Sequence, residues 1–390
     1  MKKTWQIAFL SIVCAVLVAV PVLSVFGPRQ SISLYENRTL ASLEPLSMQT
    51  IFDGSFFSSM ESALSDHIIG RDHWLRAYVR WQAGPLQKPV VNDIVLGDGV
   101  LVPYRTPVYE DPDYTQKGVD MAASLAAIRD LCESLGGQFV YVGIPEQSSA
   151  MRGHYPDYLY SGALVTDEVR RSMAAGLAGQ GIEFVDMVPI FEQAGIEQYY
   201  FNGDHHYNLR GAYVTYRAIL DRLFELGYDL PVLLEEDMEY VALPNPVYGS
   251  RSRQLYNAVD IRDQVEIYTA EEIPFDRWDN GEPVESTVFT LPENDEAPAA
   301  YTVYMGGDQA ETRIDTHRPD LPKLLVFGDS FSNAVETFLY RSFGEMRSLD
   351  LRYYTEKTLS EYIREYQPDV VLCIRDDLNY LSAEGNGDFE

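Results

Sequence analysis

The sequence predicts an α/β protein with a parallel sheet, a β-rich insertion and an N-terminal transmembrane helix. Three observations carry that prediction. Short apolar runs alternate with helical patterns at both ends of the region 111–380. A Tyr-, Pro- and acid-rich stretch at about 230–318 interrupts that alternation. An uncharged apolar run, "IAFLSIVCAVLVAVPVLSVF" from Ile7 to Phe26, follows Lys2 and Lys3. Strands alternating with helices of roughly 10–15 residues indicate a parallel sheet covered on both faces.

The N-terminal run is long enough to cross a bilayer, since a helix of about 20 residues rises about 30 Å. "VLSVFG" is a poor small-x-small cleavage site, so the run reads as an uncleaved anchor. Both lysines on its short side place the rest of the chain outside the cytoplasm. The expected organisation is a cytoplasmic stub and anchor at 1–27, a membrane-proximal segment at 28–110, the α/β domain at 111–380 and an acidic tail at 381–390.

Helical spacing appears in "FDGSFFSSMESALSDHI" and in "RDHWLRAYVRWQ", where Trp74, Tyr78 and Trp81 repeat at helical intervals. "NDIVLGDGVLVPY" predicts a hairpin, with Asp-Gly between two apolar runs. A helix through "MAASLAAIRDLCESLGG" ends on glycines and leads into the buried strand "QFVYVGIP". A helix from Thr166 to Gln180, a strand "IEFVDM" and a helix from Asn208 to Gly227 follow. Inside the insertion "MEYVAL", "QVEIYTA", "STVFTL" and "AYTVYMGG" read as strands. The C-terminal part reads strand "KLLVFG", helix "SNAVETFLYRSFG", strand "SLDLRYY", helix "TLSEYIREYQ", strand "PDVVLCI".

Composition excludes some functions. The formal charge is -29, from 59 acidic and 30 basic residues among 390, and no basic cluster interrupts the acidity, so nucleic acid is not an expected partner. Of the three cysteines, Cys14 lies in the anchor, while Cys132 and Cys373 either pair or stand as two buried thiols. Their spacing matches no metal site.

Ser330 stands in "LLVFGDSFS", between a strand and a helix. Reactive groups of open α/β sheets sit beyond the carboxyl ends of strands. A helix starting there turns free N–H groups and its positive dipole end toward anything bound beside the serine. The same position also suits an ordinary N-cap serine. A serine nucleophile needs a histidine oriented by a carboxylate. Of six histidines, those in "YYFNGDHHYNLRGAY" meet that need. In an extended segment residues i and i+2 point the same way, which pairs Asp204 with His206 and turns His205 elsewhere, as a structural or substrate-contacting group. Two competing readings are a solvated turn before a helix capped by Asn208, and a metal site needing ligands from afar that nothing in the sequence supplies. No metal and no cofactor are predicted.

"GDSFS", "DHHYNLRGAY" and "YENRTLASLEP … GSFFSSMESALSDHIIGRDHW" together resemble the DHHW protein family, related to alginate O-acetyltransferase-like SGNH hydrolase-like proteins. The resemblance runs from about Glu36 to about Leu378 and takes in "NDIVLGDGVLV", "YMGGD" and "LDLRYY". It implies an SGNH-hydrolase-like domain in which Asp and His precede Ser, with Ser330 as nucleophile, His206 as base and Asp204 as its orienting carboxylate. Tyr207 replaces the family's Trp. Gly306, Gly307 and Asn333, with His205 and Tyr207, are candidates for oxyanion or substrate contacts. The implied activity is extracytoplasmic acyl transfer through an acyl-serine, as O-acetyltransferase or acetylesterase, on exported or cell-envelope carbohydrate. A membrane-bound protein would supply the acyl donor. The alternative is a non-catalytic cell-surface protein that binds glycan or serves assembly.

Overall fold

The computed structural model describes residues 2–26, 30–107 and 113–389. The expected boundaries at 27/28 and 110/111 lie outside the described residues. The chain forms two compact units, one of Met1–Asn92 with Ser252–Asp260, the other of Asp93–Arg251 with Ile261–Glu390.

The first unit begins with the helix Lys2–Phe26, whose stretch Thr4–Ser24 has a mean hydropathy of 2.7 and is long and apolar enough to cross a membrane. The helices Ser55–Asp66 and Arg71–Ala83 follow where helical spacing predicts them. The two parts of the N-terminal motif meet here. Arg38 makes a two-pronged pair with Asp66, 2.8 and 2.5 Å, and Arg71 pairs with Glu36 at 2.5 Å. Tyr256 returns from the distant segment to donate to the same Glu36, 3.0 Å. Planar guanidinium on carboxylate fixes direction as well as distance, which suits a small unit with little core.

The second unit is built on an eight-stranded sheet: β1 Gln138–Ile144, β2 Glu183–Asp186, β3 Asp276–Asp279, β4 Glu282–Val284, β5 Glu311–Asp315, β6 Lys323–Gly328, β7 Glu345–Leu349 and β8 Val370–Asp376, in the spatial order β4-β3-β5-β7-β6-β8-β1-β2. Five strands, β7, β6, β8, β1 and β2, run parallel, as the alternating pattern predicts. The strands β3, β4 and β5 extend them antiparallel, so the sheet is mixed. All three come from the insertion. Charged "DRWD" and "ETRID" lack the apolar run that marks a strand buried on both faces, which is why these strands were missed.

Helices Tyr114–Ser134, Ala163–Gln180 and Leu359–Tyr366 cover one face, burying Leu125, Leu177 and Ile363 against Phe139, Phe327 and Val371. Helices Met187–Ala194, Leu209–Glu225 and Phe331–Leu339 pack on the other face. Cys132 and Cys373 are both buried and free.

Four expectations differ from the structure. The hairpin Ile94–Leu96/Leu101–Pro103 forms, but in the second unit, where Leu101 N–H donates to Asn202 O at 2.8 Å. "STVFTL" and "AYTVYMGG" meet only through one isolated bridge, Phe289 to Tyr304, because Tyr301–Val303 winds into a 3₁₀ turn. The strand expected at "SLDLRYY" lies earlier, at Glu345–Leu349, since the Asp350 carbonyl accepts from Tyr353 and Tyr354 and turns the chain. Finally, the acidic C-terminus packs down: Asn386 bonds Asp350, and the Phe389 ring sits edge-on to Phe327 at 5.7 Å.

Just past β8, Asp377 is fully buried. Its Oδ1 accepts from Glu146 N–H at 2.9 Å and from Ser149 Oγ at 3.0 Å. Burial pushes its carboxyl up to about 8, aided by the Asp376 and Glu146 charges and opposed by those hydrogen bonds. A folded value above the unfolded 3.8 contributes stability that is complete below about pH 4 and is lost as pH rises through about 8. Asp377→Asn should therefore flatten the fall in thermal midpoint between pH 4 and 8. The expected gain at pH 8 is on the order of a few kcal/mol relative to the parent, read by calorimetry across that range. Parallel pH curves for parent and variant would show that Asp377 is ionised in the fold.

Candidate active site

The strand β6 is buried from Leu324 to Phe327 and stops at Gly328. No other residue fits there, because a Cβ would lie 1.8 Å from the Ile374 carbonyl oxygen of β8. Asp329 then clamps the turn. Its Oδ1 accepts from Phe331 N–H at 3.0 Å and its Oδ2 from Asp376 N–H at 2.9 Å. Ser330 occupies the N-cap position of the helix Phe331–Leu339, yet its backbone is already helical and its side chain makes no cap. The hydroxyl is turned elsewhere, 2.7 Å from His206 Nε2.

The loop carrying His206 is closed by a bridge between Tyr200 and Tyr207 and ends where Asn208 Oδ1 accepts from Arg210 and Gly211 N–H groups, capping the helix Leu209–Glu225. Asp204 makes an Asx turn: its Oδ1 accepts from His206 N–H at 3.0 Å and lies 2.6 Å from His206 Nδ1, while Oδ2 accepts from Ser250 N–H at 2.6 Å. Burial alone would raise the Asp204 carboxyl, but its electrostatic and hydrogen-bond contact with the His206 ring, helped by His205 and the Ser250 N–H, holds it well below the ordinary carboxylate value. It stays an acceptor. Nδ1 of His206 therefore carries the proton, and Nε2 presents its lone pair to Ser330. Asp204 and His206 are 4% and 5% exposed, so water does not compete for these bonds.

The structure thus brings together Asp204, His206 and Ser330. His205 does not point away as the i, i+2 argument expects. Residues 202–206 bend, and its ring lies 3.7 Å from the His206 ring. Its Nδ1 is 2.7 Å from Ser250 Oγ and 3.6 Å from Asp204 Oδ1, and its side chain is 38% exposed. Asp204, His205 and His206 offer ligand-type atoms within 4.8 Å of one another. Both ring nitrogens of His206 and both Asp204 oxygens are already in protein hydrogen bonds, which is the pattern of a relay rather than a metal cradle.

Several secondary candidates fall elsewhere. Tyr207 is fully buried, its ring stacked on Phe331 at 5.6 Å and its hydroxyl donating to Phe331 O at 2.6 Å, so it braces the helix entry. Gly307 and Asn333 line a small cavity with Asp329, where the Asn333 amide donates to Asp308 at 2.9 Å. Gly306 faces Thr290. The N–H groups of the first helical turn are engaged as well: Phe331 with the Asp329 carboxylate, Ser332 with Asp329 O, Asn333 with Ser330 O and Ala334 with the Tyr301 hydroxyl. They are not the free donors that the sequence suggests.

Sequence reasoning missed two supports. Tyr301 lies flat on the His206 imidazole, ring centroids 3.7 Å apart and planes 3° from parallel. Beneath the histidine loop, buried Arg251 pairs with Glu146 and Gln147, and Gln147 N–H donates to His205 O at 3.1 Å. Tyr301 sits among many tyrosines, and nothing local distinguishes it. An ion pair between residues 105 positions apart leaves no pattern either.

The DHHW protein family model matches residues 187–348, which span both His206 and Ser330. The resemblance to the DHHW family is borne out. A second family model, described as SGNH hydrolase-like domain, acetyltransferase AlgX, matches residues 104–267. No curated protein matches the chain by sequence. Among solved structures, Bacillus cereus PatB1 with a sulfonyl adduct is similar at a TM-score of 0.63 and 19% identity, over 76% of this chain and 98% of that one. A DHHW family protein from Eubacterium siraeum gives 0.58 at 19% identity, over 75% and 93%. The chain has an SGNH-like α/β fold.

Replacing the Tyr301 ring should loosen His206. Tyr301→Leu is expected to slow modification of Ser330 by a sulfonyl fluoride about two- to tenfold, the range of one aromatic pair, while Tyr301→Phe keeps the stack and nearly the parent rate. Time-resolved intact mass reads both. Equal losses in the two variants would point to the hydroxyl and its Ala334 contact instead of the stack.

Proposed function

We propose that the chain is a membrane-anchored O-acyltransferase that acts outside the cytoplasm and moves an acetyl group onto a carbohydrate hydroxyl through an acyl-serine. The observation that carries this reading is the unbroken chain from Asp204 through His206 to Ser330, at 2.6 and 2.7 Å. His206 Nε2 takes the Ser330 proton as Oγ attacks the acyl carbonyl carbon. The carbonyl electrons move onto oxygen. The Ser330 N–H, at the positive end of the following helix, is the proposed donor to that oxyanion. Collapse expels the donor's oxygen or sulfur, which leaves with the proton from His206. An incoming hydroxyl then gives its proton to His206, attacks the acyl-serine and releases Ser330, which recovers the proton.

Acetyl as the group carried is supported by the description of the AlgX family model as an acetyltransferase. The carbohydrate acceptor and a membrane-bound donor protein follow from the family resemblance. The spanning helix and its two preceding lysines support an outward placement of both units.

PatB1 was solved with a sulfonyl adduct, which makes a sulfonyl fluoride a suitable probe. The full chain should gain one sulfonyl mass that Ser330→Ala abolishes, and Asp204→Asn should slow turnover of an activated acetyl ester by roughly a thousandfold or more. Acetyl appearing on added oligosaccharide marks a transferase, whereas release as acetate marks an esterase. A folded parent that takes no label while still binding glycan would assign the protein to the non-catalytic class.

A further inference from the structure

The first unit carries apolar surface besides its spanning helix. Helix Ser55–Asp66 exposes Phe57, Met60 and Leu64 (53, 38 and 43%), and helix Arg71–Ala83 exposes Trp74, Tyr78 and Trp81 (67, 52 and 53%). Spacings of i, i+3, i+7 and i, i+4, i+7 make each set one continuous stripe. The core-facing residues of the second helix are others, Val79 and Gln82. The turn between the helices is tied to the outer end of the span. Ile69 N–H donates to Ser24 Oγ at 3.0 Å, Ser24 donates onward to Val20 O at 2.7 Å, and Leu23 shares a cavity with the stretch from Asp66 to His73. The aromatic stripe therefore starts where the apolar helix ends.

From Trp74 to Trp81 the helix rises about 10 Å, more than the roughly 5–7 Å of polar zone on one side of a bilayer, so the stripe is long enough to reach through it. Trp and Tyr are the side chains that favour that zone, apolar in body and polar at the tip. Exposed Arg80 on the same helix suits a lipid phosphate.

We infer that these two helices form a collar resting in the headgroup region of the bilayer that the N-terminal helix crosses. The inference depends on the membrane placement proposed above and is independent of the chemistry at Ser330. The occupant of the stripes is lipid.

The test reads tryptophan emission from the full chain in phosphatidylcholine vesicles, with and without bromine on the acyl chains. The chain has four tryptophans, Trp5, Trp74, Trp81 and Trp278. One variant, Trp5→Phe with Trp278→Phe, reports the collar. A second, keeping Trp5 alone through Trp74→Phe, Trp81→Phe and Trp278→Phe, reports the span. The collar variant should emit at shorter wavelength than in urea, lose about half its intensity to brominated lipid and resist aqueous iodide. If Trp5 is quenched by bromine while Trp74 and Trp81 respond only to iodide, the collar is wrong and the anchor stands. If Trp5 is not quenched either, the membrane placement falls with it. Protection of Trp74 and Trp81 from both quenchers would mean that protein, such as a second copy of the chain, covers the stripes, and would overturn the lipid assignment.

Discussion

A hydrogen bond of 2.7 Å joins His206 to Ser330, and every nearby element serves to keep its two ends in register. On the serine side, backbone sets the position: Gly328 lets β6 lie against the Ile374 carbonyl, and Asp329 ties the turn to β8. On the histidine side, an Asx turn, a stacked Tyr301 ring and the buried Arg251–Glu146 pair hold the loop. The two sides meet again at Tyr207, whose hydroxyl on Phe331 O couples the loop to the helix that follows the serine. Two tethers between the same segments, His206 to Ser330 and Tyr207 to Phe331 O, limit how far the serine hydroxyl and the imidazole can drift apart.

Much acid is buried around this joint. Asp329 and Asp376 sit side by side at the ends of β6 and β8, and burial raises both carboxyls. Asp377 is raised too, while Asp204 alone among these is pulled down by its histidine partner. Neighbouring carboxyls in the same dry region thus shift in opposite directions, Asp204 down and the others up. The difference comes from the His206 ring beside Asp204, since burial acts on all of them in the same sense and Asp329 and Asp377 also accept N–H bonds.

Sequence carried the outline because the outline is apolar. The five parallel strands, buried on both faces, appear as runs such as "KLLVFG" and "DVVLCI", and the site motifs sit at their edges or in loops with few histidines to choose among. What escaped detection is polar and long-range. The antiparallel strands β3 and β5 are written in charged residues and are recognisable only by the partners they pair with. Tyr301 and Arg251 gain meaning from what lies across from them in space, and local spacing does not encode that. The i, i+2 rule named the histidine that faces Ser330, but not for its stated reason. The segment is bent, and the Asx turn at Asp204 rather than side-chain alternation brings His206 onto the carboxylate while His205 stays beside it.

The place of β6 between β7 and β8 has a consequence for biogenesis. Both flanking strands are made after the serine strand, and Gly328 finds its seat only against the last of them. A chain still emerging from the ribosome or the export channel, or one clipped before residue 370, holds its histidine loop and its serine with no framework to align them. The order of synthesis therefore places the pairing of His206 with Ser330 late, after the strand that seats Gly328 has joined the sheet.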